Sequence, residues 1–184
     1  MQTTALHDLS TPGLAALGIR GQDAAHVLAT LIDRSPLPVT VLIQALADVK
    51  LRITVARTGE RGLSRNEAHF LDAPEGTPCR WRTGRLETAD GELAAGVFLL
   101  WLPCRLDADV LAELDAAAEP AGVILDRMPG GMRREERRAL AVPVVDEITG
   151  EDASIMSRAV LAVGGQAVGI AEEIFMTAFT EGLA

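Results

Sequence analysis

Residues 157–176 read SRAVLAVGGQAVGIAEEIFM, two apolar runs joined by Gly164-Gly165. A two-residue primed turn needs positive φ, which glycine adopts without a steric penalty. The pair therefore predicts a β-hairpin in which Val163 faces Gln166. Strand alternation then puts Arg158, Val160 and Ala162 on one face with Ala167, Gly169, Ala171, Glu173 and Phe175. Leu161, Val163, Val168, Ile170, Glu172 and Ile174 take the other face, which is bulky and suits a core. The first face carries small side chains and ends in an arginine and a glutamate. That combination leaves room for a polar ligand.

Upstream, Arg80–Thr88 and Glu92–Leu102 flank Ala89-Asp90-Gly91, and the Asp-Gly step predicts a second hairpin. Its second strand is apolar on both faces, so it belongs in the middle of a covered sheet. Val49–Ala56 alternates strictly and reads as a half-buried strand. Asp23–Asp33, Pro38–Ala47 and Asp107–Ala118 have helical spacing, with prolines and glycines at their ends. Thr58–Cys79 reads as loops with a short strand near Ala68–Leu71, and Met132–Leu140 as a short charged helix or turn. Strands joined by hairpins rather than helical crossovers predict an α+β fold, a mainly antiparallel sheet with flanking helices. No repeat or linker divides the chain, so residues 1–184 are expected to form a single domain.

The 184 residues carry a net charge of −9, which argues against nucleic acid and anionic membranes as partners. The longest apolar run, Leu93–Pro103, is too short to span a bilayer, which takes about 20 residues. The start, MQTTALHDLS, lacks the basic and apolar regions of a signal peptide. Cys79 and Cys104 are isolated and read as free thiols, so the expected location is the cytoplasm. His7, His26 and His69 share no ligand spacing, and neither a metal nor a cofactor is expected.

Arg82, Arg158 and Glu173 stand out chemically. An arginine on a covered strand must be paired or bound to an anion, because an unpaired buried charge is costly. An internal salt bridge, such as Arg158 with Glu173, is one resolution; a bound anion is the other. Glu172 and Glu173 point to opposite faces, so one is solvated and the other is a candidate proton-transfer group. The run MRREERR reads as a solvated face or as a flap over a binding site.

In order, these segments resemble the chorismate lyase family and its chorismate lyase-like branch, whose fold also carries effector-binding domains of some bacterial repressors. Residues 32–37 (IDRSPL) resemble the family's acidic-Ser-x-Thr segment, and Arg82-x-Gly84-x-Leu86 its R-x-V-x-L strand. Glu119–Leu125 resembles its P-L-G-x-x-L turn, and Glu173-Ile174-Phe175 its E-L-F. The likeness covers roughly residues 24–178.

The resemblance implies a lyase that converts chorismate, or a related aromatic-acid precursor, to a hydroxybenzoate and pyruvate without cofactor. Arg82 would then pair with a carboxylate of a small anionic aromatic or cyclohexadienyl acid. The Ala121 backbone N–H would help hold the same ligand, and Glu173 would be the catalytic carboxylate. The family's lyases carry a second arginine on the strand after the Asp-Gly turn. Residues 94–102 contain no basic residue, so Arg158 would stand in for it. Two other readings remain: a non-catalytic binding module for small aromatic acids, and a structural protein with a salt-bridged core. Whether Arg82 and Glu173 line one closed cavity separates the last from the others.

Overall fold

The computed structural model describes residues 22–147 and 149–182. The amino-terminal stretch and His7 lie outside them. Six strands form one antiparallel sheet: β1 (Arg52–Gly62), β2 (Pro78–Glu87), β3 (Leu93–Trp101), β4 (Met132–Val145), β5 (Asp152–Val163) and β6 (Gln166–Met176). Their order across the sheet is β1-β2-β3-β6-β5-β4, with every neighbour antiparallel. Both expected hairpins are present, β2–β3 and β5–β6. Gly164 and Gly165 both have positive φ, 58° and 81°.

Among the described residues six α-helices accompany the sheet: α1 (Gln22–Arg34), α2 (Val39–Ala47), α3 (Arg65–Phe70), α4 (Ala108–Ala116), α5 (Ala121–Asp126) and α6 (Thr177–Gly182). One sheet face is covered in two parts. Leu28 and Ile32 of α1, Ile43 of α2 and Phe179 of α6 pack over Leu86, Ala95, Ile155 and Phe175. Leu114 of α4 and Ile124 and Leu125 of α5 pack over Leu99, Trp101 and Leu161. Each such fully buried side chain stabilises the fold by about 1.5–3 kcal/mol. The opposite face packs Leu100, Val160 and Ile170 against Ala68 of α3 and the adjacent Leu71.

Three expectations need correction. The segment around Ala68–Leu71 is helix α3, not a strand. Ser64 caps it by accepting from the Glu67 N–H, while the Glu67 carboxylate accepts from the Ser64 N–H at 2.8 Å, a reciprocal capping box. The alternation from Val49 forms a strand only from Arg52, and β1 continues to Gly62. Met132–Leu140 is neither helix nor turn but the start of β4, an edge strand. Its pairing with β5 shifts between Glu135 and Arg138, where Glu136 adopts φ 43°. This bulge is invisible to a pattern search because it breaks the two-residue period.

The predicted face assignment in the last hairpin also changes. Val163 pairs with Gln166 and Ala162 with Ala167, but Leu161 pairs with Gly169. Val168 is the extra residue, a β-bulge, and its carbonyl accepts from the Leu102 N–H at 2.9 Å. Beyond the bulge, Ser157 sits opposite Glu173 and Arg158 opposite Glu172. Arg158 is therefore on the face away from Glu173.

Gly169 lies between β3 and β5, opposite Trp101 and Leu161. A Cβ there would run into the Leu100 backbone carbonyl. A central strand cannot move aside, so Gly169→Ala is expected to destabilise the fold by about 1–3 kcal/mol, the usual range for overpacking. Urea denaturation midpoints of the two proteins measure it; unchanged midpoints would contradict this close approach.

Candidate ligand-binding site

The strand register brings the site together. Gly84, Val97, Glu173 and Ser157 form one row across β2, β3, β6 and β5, and Arg82, Leu99, Ala171 and Ala159 form the next. These rows lie between the two helix-covered clusters. A cavity of about 50 Å³ opens there, lined by Arg82, Val97, Leu99, Ala171 and Glu173 from the sheet. Pro38–Thr40 at the start of α2 and Pro120–Gly122 at the start of α5 form its roof. Gly122 permits that roof: a Cβ there would meet the Pro38 Cβ at 2.8 Å and the Thr40 Oγ1 at 2.9 Å. A buried water needs about 10–15 Å³ of such space, so the cavity holds a few waters or a small anion. A ring would require the roof to lift.

Arg82, Ala121 and Glu173 all line this cavity. Arg158 does not. Its Nε pairs with Glu172 at 3.2 Å, and its guanidinium lies 4.6 Å over the Phe70 ring, on the opposite face. Both partners are more than 40% exposed, so Glu172 is the solvated member of the glutamate pair. The substitute arginine expected at 158 is thus removed by the one-residue bulge. A second buried arginine instead comes from β4. Arg134, within the run read as a solvated face or flap, is 2% exposed and lines the cavity.

The two cavity arginines are held differently. Arg82 donates Nη1–H to the Leu114 carbonyl at 2.7 Å and stands 6.0 Å over the Trp101 ring. Among the described residues no carboxylate lies within ion-pair distance of it. Arg134 donates to the Ile32 carbonyl at 2.8 Å and to the Ser157 hydroxyl at 2.7 Å. Burial lowers the pKa of both arginines; Glu173 opposes this at Arg134, and Asp115 at Arg82. Both stay charged, because guanidinium begins so high.

Glu173 is buried, with 8% of its surface exposed. Burial pushes its carboxyl upward, while Arg134 and the Ser157 hydroxyl pull it down and Glu172 adds a small upward push. The net direction is up. Three buried polar atoms around the cavity lack a partner among the described residues: Glu173 Oε2, Arg134 Nε and Thr40 Oγ1. Unsatisfied groups of this kind are uncommon and each needs an explanation.

A raised carboxyl pKa has a definite sign in stability. The folded state holds its proton more tightly than the unfolded chain, so stability present below the ordinary carboxylate range is lost as pH rises through the folded pKa. Glu173→Gln removes that loss. The variant is expected to match the parent near pH 4 and to gain on it steadily toward pH 8. Chemical denaturation at the two pH values checks this; an advantage confined to acid would reverse the assignment.

No family model and no curated protein matches the sequence. Solved structures do. The architecture is the α+β fold of chorismate lyase-like domains, which form the ligand-binding part of GntR-family regulators. The chain is similar to the ligand-binding domain of a protein described as a GntR-family transcriptional regulator in Bordetella bronchiseptica. That match has TM-score 0.54 and 14% identity, and covers 70% of this chain and 86% of that one. It is also similar to the C-terminal domain of the histidine utilization repressor of Pseudomonas syringae, with TM-score 0.51, 15% identity and coverage of 70% and 93%. PhnF from Mycobacterium smegmatis aligns with TM-score 0.58 at 12% identity, over 78% of this chain and 65% of PhnF. Among the described residues no helix is long and apolar enough to cross a membrane.

Proposed function

We propose that the chain forms one ligand-binding domain, a non-catalytic module that takes a small anionic organic molecule into the cavity beside Arg82. The observation that carries this reading is the meeting of Arg82, Arg134 and Glu173 at one partly open cavity whose polar atoms are incompletely partnered. With Glu173 neutral the cavity carries two buried positive charges; with Glu173 ionised it still carries one. Either state favours an anion. Similarity in fold to regulator ligand-binding domains supports binding over chemistry, although fold alone does not carry function.

The presence of both Arg82 and Glu173 in the lining of one cavity favours a second reading, the lyase. In that case a small aromatic acid precursor is held by Arg82 and the Ala121 N–H while Glu173 moves a proton. Calorimetric titration with 4-hydroxybenzoate and with succinate tests binding, and pyruvate release from chorismate tests turnover. Saturable binding without pyruvate supports the module. Pyruvate release that falls about 10²–10⁴-fold in Glu173→Gln supports the lyase. Absence of both binding and turnover would defeat both readings.

A further inference from the structure

Arg134 is the group for which the fold so far offers least explanation. A guanidinium has five N–H donors. Here one goes to the Ile32 carbonyl and one to the Ser157 hydroxyl, while Nε is buried without a partner. The unused Nε–H leaves one guanidinium donor for a ligand carboxylate oxygen, beside the Nη2 that serves Ser157. Thr40 Oγ1 and Glu173 Oε2, also unpartnered, line the same cavity.

Arg82 and Arg134 reach that cavity from far apart in the sheet. Arg82 is on β2 and Arg134 on β4, with β3, β6 and β5 between them. Four strand steps of about 4.8 Å separate their backbones along the sheet. The two guanidiniums therefore approach from opposite flanks, and one carboxylate is a poor bridge between them. Two carboxylates on a short chain suit them better. The apolar wall of Val97, Leu99, Leu161 and Ala171 would contact the intervening carbons.

We propose that Arg134 is the second anion anchor of the cavity, and that the domain takes small aliphatic dicarboxylates in preference to matched monocarboxylates. This rests on the anion-binding reading above. A neutral Glu173 fits it, since two arginines then face two carboxylates and the acid proton is donated to a ligand oxygen.

Succinate and butyrate are the test pair, equal in carbon number and differing in one carboxylate. Calorimetric titration of the whole chain is expected to give succinate about tenfold tighter binding or better, the effect of one charge-assisted hydrogen bond. In Arg134→Met, which conserves much of the volume, the advantage of succinate should collapse, leaving the two acids within about twofold of each other. NMR of the arginine Nε–H groups in the unaltered protein gives a readout independent of the variant's folding. The Arg134 resonance should shift with succinate and stay put with butyrate. Equal affinity of the two acids, or a silent Arg134 resonance on saturation with succinate, would overturn the proposal. If 4-hydroxybenzoate binds while both aliphatic acids fail, the dicarboxylate preference falls and the anion site stands. If none of the three binds, the anion-binding reading falls with it.

Discussion

Arg134→Ala is expected to destabilise the protein by about 3–5 kcal/mol, the range for breaking a buried, hydrogen-bonded charge. Domains of this kind unfold with about 5–15 kcal/mol, so the loss is a large share of the total. Three effects act together. The bond from Nη1 to the Ile32 carbonyl joins β4 to the last turn of α1, a link across 102 positions of sequence. The bond from Nη2 satisfies Ser157 on β5. The guanidinium is also the cation nearest in effect to Glu173, so its removal pushes that carboxyl further upward. Arg137 holds the same helix end, donating to the Asp33 and Arg34 carbonyls, but it cannot reach across to replace Arg134 at Ser157 without leaving them. Arg134→Met keeps the packing and should lose less than the alanine variant. Urea midpoints with an unchanged slope would measure this; a cost under about 1 kcal/mol for alanine would show that Arg134 does not tie α1 to the sheet.

Arg82→Leu should behave in the opposite way. Its binding defect is expected to be large, about 30-fold or more for an anionic ligand, because removing one member of a buried charge pair costs at least about 2 kcal/mol. Its folding defect is expected to stay within about 1–2 kcal/mol. The side chain makes one described hydrogen bond, to the Leu114 carbonyl, and burial already disfavours its charge. Replacing such a cation with a packed apolar side chain is often nearly neutral. Titration with succinate and a thermal melt of the same sample separate the two quantities. A severe folding loss with intact affinity would exchange the roles assigned to Arg82 and Arg134.

Much of the sheet was legible because turn chemistry is local. Asp90-Gly91 and Gly164-Gly165 marked both hairpins, and helical spacing marked α1, α2 and α4. Strand alternation is enough to single out Arg82 and Glu173, and both line one cavity. Two of the failures share a physical cause, departure from strict periodicity. The bulge at Val168 changed which residue stands opposite Glu173, and it removed Arg158 from the site. The bulge near Glu136 hid β4 inside a charge run, and with it Arg134. For α3 a usable signal was present: Ser64 and Glu67 have capping-box spacing. No local pattern marked Arg134 as buried, since its neighbours Arg133 and Glu135 are charged and its burial depends on α1 packing across the strand.

The extra residue at Val168 also bears on how this chain tolerates changes of length. Ala162 pairs with Ala167 and Leu161 with Gly169, so the two pairings already follow one another without Val168. A chain one residue shorter at that point keeps Ser157 opposite Glu173 simply by becoming regular there. Its loss is confined to one buried side chain beside α4 and α5 and to the carbonyl that serves Leu102. Within the paired stretch from Ile155 to Leu161 no such slack exists. A deletion there turns every side chain on one flank of it to the opposite face, and the acid in the cavity faces the wrong neighbours. Indels among relatives of this chain should therefore gather at the hairpin tip and avoid the strands that carry the site.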